Sequence, residues 1–385
     1  MDLSRRDTLI LGASLAAASV AEAAVPTIPG IGESLNHAAQ KGGRRFGSAV
    51  GVGWPGQEGR GFADPRYLQI VSSECGLIVP ENELKWQWIR HSPTGFDFRG
   101  GDRLLAWAQS QGIAMRGHNL VWHHPKWWPE WVTHYDFGPR PAAEAARMLR
   151  EHIDTVCRHY PTIASWDVVN EAVDAQTGEM RETVFSKAMG SADAVLDLAF
   201  RTAHEAAPHA QLVYNDYMSW EAGNETHRAG VLRLLERFRR NGTPVDALGV
   251  QSHIGSGNNP GDAPAFGPHD ERAWRRFLDE ATGMGYQLLI TEFDVNDRGI
   301  QGDIATRDRE VAAYARAYLD LMLSYRQLGD ILAWGIVDKY SWLQQRPPRA
   351  DGLPKRCTPY DSDFRPKPLR AAMAASFGGA VPHRG

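Results

Sequence analysis

The run Ser165-Trp166-Asp167-Val168-Val169-Asn170-Glu171 is short, β-branched and apolar, and it ends abruptly in an amide and a carboxylate. Residues such as Val168 and Val169 favour strands. A second run, Leu288-Leu289-Ile290-Thr291-Glu292-Phe293-Asp294, has the same form. Each reads as a buried strand that hands over to a polar end.

Further short apolar runs lie at 46–50, 77–80, 114–121, 212–214, 248–250 and 331–337. With 166–169 and 288–291 they make eight predicted strands. The gaps between them read as helices. Over 141–160, Leu149, Ile153, Val156 and Tyr160 share one face, with Pro141 suited to the first turn. Over 307–327, Val311, Tyr314, Tyr318 and Met322 do the same. Segments 103–111, 193–207, 226–240 and 271–284 complete the set. Strand and helix alternating about eight times predicts a single-domain (β/α)8 barrel of the α/β class. A doubly wound sheet would want an early Gly-rich phosphate loop, and the sequence has none.

In such a barrel the chemistry stands at the C-terminal ends of the strands. The second strand ends in Glu81, Asn82 and, a little further, Lys85. The third carries His118 and Trp122, and the fourth ends in Asn170 and Glu171. The fifth ends in Asn215, Asp216 and Tyr217, and the sixth in Gln251, Ser252 and His253. Glu292 and Asp294 close the seventh, and Trp334 and Trp342 belong to the eighth. Seven consecutive strands with polar or aromatic ends imply one converging cleft. A lone Glu at a strand end is ordinarily a surface ion pair; this company argues otherwise.

Two carboxyls facing one cleft suit the cleavage of a glycosidic bond, which needs one acid protonated and one ionised. Glu171 follows the uncharged Asn170, so burial would keep its proton. Glu292 would need donors to stay ionised. His253 could supply one, and Asp294, on the same face of its strand, could fix that imidazole. Asn170, Gln251, His118 and Lys85 could bond hydroxyls, while Trp122, Trp334 and Trp342 could cover sugar faces. A metal reading of His118, His123 and His124 fails on ligand spacing, since His123 and His124 are adjacent and no Cys or acidic partner stands at a metal-ligand interval. No G-x-S-x-G elbow is present for a Ser-His-Asp hydrolase.

The 385 residues carry a net charge of −4 with no long run of one sign, so neither nucleic acid nor an anionic membrane is implied. Arg5 and Arg6 precede an apolar run over 8–20, and Ala21-Glu22-Ala23 follows as a small-residue cleavage site. Residues 1–23 thus read as an export signal that resembles the bacterial twin-arginine type, with Asp7 where an apolar residue often stands. The expected location is periplasmic or extracellular. A lead-in over 24–44, a catalytic domain over 45–378 and a tail over 379–385 complete the expected organisation. Cys75, Cys157 and Cys357 are odd in number and form no disulfide framework.

The runs PENELKW (80–86), RGHNLVWH (116–123), WDVVNEA (166–172), YNDY (214–217), GVQSHI (249–254), ITEFDV (290–295) and WGIVDKYSW (334–342) resemble, in order, those of glycoside hydrolase family 10, the endo-β-1,4-xylanases. The resemblance spans about residues 45–370. It implies a retaining double displacement on xylan or xylo-oligosaccharides, without a cofactor, by a chain expected to act as a monomer. By matching motif, Glu171 would be the acid/base and Glu292 the nucleophile. Asn170 would bond the sugar 2-hydroxyl. Lys85, His118, Trp122, Gln251, His253 and Trp334 would line the same subsite, with Tyr217 nearby. Glu81, Asn82 and Trp342 would hold the next sugar towards the non-reducing end. The chain departs from the family pattern at His124-Pro125, where Ser-Gln is usual, and at Met218, where Asn is frequent. The loops 255–268 and 343–362 are also individual. A hydrolase of another β-glycan and a carbohydrate-binding barrel without catalysis are the alternatives.

Overall fold

A computed structural model describes residues 32–53, 61–255 and 266–384. The expected export segment 1–23 and most of the loop 255–268 lie outside these residues. Eight principal strands alternate with helices: β1 Phe46–Val50, β2 Leu77–Pro80, β3 Gly117–Trp122, β4 Ser165–Asn170, β5 Gln211–Asp216, β6 Ala247–Val250, β7 Gln287–Asn296 and β8 Leu328–Ala333. All pairings among them are parallel, in the spatial order β2, β1, β8, β7, β6, β5, β4, β3. The ring closes through one stretch of chain. Ala114–Met115 pairs with β2, the Arg116 amide donates to the Ile78 carbonyl at 2.8 Å, and Gly117 onward pairs with β4. The expected (β/α)8 barrel is the observed fold.

The strands are buried along nearly their whole length because helices cover the outside and side chains fill the inside. Trp166, fully buried, packs so closely on β3 that a Cβ at Gly117 would lie 2.0 Å from its ring. The helix Pro141–His159 buries Leu149, Ile153 and Val156, the predicted face. Each contributes about 1.5–3 kcal/mol of burial. The helix Ile304–Met322 buries Val311, Tyr314, Tyr318 and Met322. It starts earlier than the apolar pattern suggests, because the Asp303 side chain accepts from the Thr306 amide and caps it.

Two boundaries differ from expectation. β8 begins at Leu328 and stops at Ala333, so Trp334 stands beyond the strand, before Gly335 in a left-handed conformation (φ 97°). The lead-in 24–44 contains a helix, Leu35–Gln40, capped by Ser34. Its Leu35 amide donates to buried Glu74 at 2.6 Å, and Arg370 from the helix Pro368–Gly378 donates both to Glu74 and to the Glu33 carbonyl. Asn36 accepts from the Phe46 amide at the start of β1. The tail is also tied down: the His383 amide donates to the Gly42 carbonyl at 2.8 Å. The segments around residues 33–42 and 370–383 therefore meet at the N-terminal end of the barrel. Among the described residues no helix is long and apolar enough to cross a membrane.

Candidate active site

A cleft of about 820 Å³ opens at the C-terminal ends of the strands. Glu81, Asn82, Lys85, His118, Trp122, Asn170, Glu171, Tyr217, Gln251, His253, Glu292, Trp334 and Trp342 all line it. Asp294 is buried just behind.

Glu171 leaves β4 with φ 54°, and Ser252, after β6, has φ 64°. Left-handed backbone is uncommon for such residues and marks positions held by their surroundings. The Glu171 amide donates to the Asn215 carbonyl at 2.9 Å, which holds the turn. Its carboxyl receives Trp122 Nε1 and Gln251 Nε2, each at 2.9 Å. Both donors are neutral. Burial raises its pKa, the Asp216 and Glu292 charges add to the rise, and the two hydrogen bonds only moderate it.

Glu292 has different company. Asn215 Nδ2 donates to its Oε1 at 2.8 Å, and His253 Nε2 lies 3.2 Å from its Oε2. His253 Nδ1 in turn lies 3.0 Å from Asp294 Oδ1. Burial pushes the His253 pKa down, but Asp294 and Glu292 outweigh it and raise it to about 10. The ring is therefore a cation that donates to both carboxylates. Burial alone would raise the Glu292 pKa; the His253 hydrogen bond, with electrostatic help from His118 and Lys85, brings it below the usual range.

The surrounding groups are held in turn. His118 Nδ1 lies 2.9 Å from Asp167 Oδ2, and Arg116 pairs with the same buried carboxylate. Lys85 donates to Asn82 Oδ1 at 3.0 Å and sits 4.8 Å above the Trp122 ring. Trp334 stands edge-on to His118 at 5.3 Å. Trp342 is anchored by Asp294 Oδ2, which accepts its Nε1 at 2.6 Å. Tyr217 accepts from Arg181 at 2.8 Å. Asn170 presents its oxygen to Asn215 Nδ2 (2.9 Å) and Gln251 Nε2 (3.4 Å). Rotating that amide would put its oxygen 3.2 Å from Trp122 Nε1, but it would set two amide nitrogens against each other.

Asn215 is a side chain among the two glutamates' partners that a strand-end reading leaves unassigned. It touches Asn170, Glu292 and Thr291 Oγ1, which donates to its Oδ1 at 2.6 Å. Gly249 makes its place: a Cβ there would lie 2.5 Å from Asn215 Oδ1. The available signal was its position beside Asp216 and Tyr217 at a strand end. Trp127 is another addition. It stacks on Trp122 at 4.8 Å and 20°, from a short turn, Pro125–Trp127, in which His124 Nδ1 accepts from the Lys126 amide. This turn occupies the His124-Pro125 departure. The three histidines point to different partners: His118 to Asp167, His123 to the Arg181 carbonyl and His124 to Lys126.

The glycosyl hydrolase family 10 model matches residues 34–376. Endo-1,4-beta-xylanase 5 of Pyricularia oryzae is 30% identical over 357 residues, covering 91% of this chain and 80% of that protein. Endo-1,4-beta-xylanase A of Fusarium oxysporum f. sp. lycopersici is 34% identical over 286 residues, 73% of this chain and 82% of that one. The crystal structure of xylanase 10B from Thermotoga petrophila RKU-1 in complex with xylobiose matches with a TM-score of 0.77 at 27% identity, covering 91% of this chain and 98% of that chain. A barrel of this order, a cleft at its strand ends and a family match along nearly all of the described chain lead to one assignment: the protein belongs to glycosyl hydrolase family 10.

Proposed function

We propose that the protein hydrolyses internal β-1,4-xylosidic bonds of xylan with retention, using Glu292 as nucleophile and Glu171 as acid/base. The observation that carries this reading is the opposite displacement of two carboxyls in one cleft. Glu171 is pushed up by burial among neutral donors, and Glu292 is brought down chiefly by the His253 hydrogen bond. That is the division of protonation a double displacement needs. Glu292 attacks the anomeric carbon while Glu171 protonates the departing oxygen, leaving a glycosyl ester on Glu292. Glu171 then takes a proton from water, which attacks the ester and restores both groups. Asn170 bonds the 2-hydroxyl, and Trp122, Trp334 and Trp342 cover the sugar. The substrate class is supported by the names of the relatives and by the xylobiose-bound neighbour.

The test is covalent trapping with a fluorinated xyloside. Glu292→Ala is expected to lose labelling, and Glu171→Ala to keep it when the leaving group is good. Equal labelling of the two variants would overturn the assignment. We also propose that the chain is exported through the twin-arginine route. The Arg5-Arg6 pair supports this, as do three cysteines that are all buried and unpaired, which suits a protein that moves after folding. Arg5→Lys with Arg6→Lys is expected to leave the protein in the cytoplasmic fraction; unchanged export would refute it.

A further inference from the structure

Arg346 lines the cleft with its guanidinium carbon 4.3 Å from the centre of the Trp342 ring. Its neighbours on the same segment are all committed. Arg349 pairs with Asp297 and Asp351, and Arg356 with Asp308. Buried Lys355 donates to the Leu343 carbonyl at 2.8 Å and to the Arg346 carbonyl at 3.2 Å. Across the cleft, Arg181 is held by Asp174 at 2.9 Å. Among the described residues the Arg346 guanidinium makes no ion pair and no hydrogen bond.

An arginine in this setting has three properties that matter. Its backbone is fixed by Lys355 and by the turn in which its own amide donates to the Leu343 carbonyl at 3.1 Å, so little ordering cost remains on binding. Its guanidinium sits over the Trp342 ring, and its N–H groups have no protein acceptor among the described residues. Partial burial lowers its pKa, and the acidic groups whose field it feels, Glu171 and Asp294, do not pair with it. A planar fork of this kind matches a carboxylate better than it matches a neutral hydroxyl. The anionic group that a xylan chain carries is the carboxylate of a uronic-acid branch.

We infer that Arg346 is a recognition residue for such a carboxylate, so that the cleft favours xylan bearing uronic-acid branches over neutral xylan. This rests on the xylanase reading above. The experiment compares kcat/KM on a xylo-oligosaccharide carrying one uronic-acid branch with kcat/KM on the unbranched oligosaccharide of equal backbone length. The acidic-to-neutral ratio is expected to fall about fivefold in Arg346→Gln, the size of one partly exposed ion pair, and to be only partly restored in Arg346→Lys, which keeps the charge but not the planar fork. In the wild-type enzyme the same ratio is expected to fall as ionic strength rises. A merely structural role on Trp342 would lower both rates by one factor; that result, or a ratio unmoved in Arg346→Gln, overturns the inference. If Arg346→Gln does not fold, a salt-independent wild-type ratio overturns it instead. Failure of the wild-type enzyme on both substrates would instead bring down the xylanase reading itself.

Discussion

Glu171 at the end of β4 and Glu292 on β7 are the same residue on the same architecture, yet their surroundings are opposite. Glu171 sits between an indole N–H and an amide, both neutral. Glu292 sits beside an imidazolium backed by Asp294, with Lys85 and His118 nearby. Both carboxyls are buried, so desolvation pushes both upward, and the sign of the charge around each separates them: anionic neighbours and neutral donors at Glu171, cationic neighbours at Glu292. Burial alone would produce two protonated acids. The lesson is that the surroundings of both carboxyls are set by one strand end lying between them, β6, which supplies Gln251 to Glu171 and His253 to Glu292.

The largest way to break this asymmetry is to remove the ionised member. Glu292→Ala is expected to lower kcat by at least about 10⁴-fold on every substrate, because no covalent ester can form. Glu171→Ala should cost about 10²–10⁴-fold on xylan and much less on aryl xylosides whose leaving group needs no proton; steady-state kinetics on the two substrates measures the gap. Asn215→Ala removes the donor shared by Glu292 and Asn170. Loss of about 1.5–3 kcal/mol, roughly 10–150-fold in kcat/KM, is expected from a charge-assisted bond.

Two pH profiles sharpen the comparison. As the proposed nucleophile Glu292 has to be ionised, so activity is expected to be lost as pH falls through its lowered pKa. In His253→Gln that pKa rises, and the acidic limb of kcat/KM should move to higher pH. As the proposed acid Glu171 has to be protonated, so activity is expected to be lost as pH rises through its raised pKa. Gln251 moderates that rise, so Gln251→Leu should move the alkaline limb to still higher pH, the smallest of these effects. An acidic limb unmoved by His253→Gln would mean that the imidazolium does not set the state of Glu292.

Much of this arrangement is legible in the chain itself. Strand ends announce themselves because an apolar pair such as Val168-Val169 gives way at once to polar groups where the strand reaches the cleft, here Asn170 and Glu171. Period-2 alternation was enough to set Glu292 and Asp294 on one side, where His253 meets both. What stayed hidden depends on distances between strands. Asn215 resembles any polar strand end until Gly249 on the next strand is seen to leave room for it. Trp127 is one tryptophan among 13 until the Pro125 turn lays it against Trp122. The helix Leu35–Gln40 is only 6 residues long, too short for a periodic signal, and it is held by Glu74 and Arg370 from distant parts of the chain.

That small helix has a consequence for handling the molecule. Glu33 is joined to Arg370, and Gly42 to His383, on the side of the barrel remote from the cleft. A short Gly/Ser linker between positions 33 and 383 could therefore close the polypeptide into a loop on that side, away from Glu171 and Glu292. Cargo joined at residue 33 or at residue 383 would trail behind the barrel and leave the mouth of the cleft free to meet an insoluble polysaccharide.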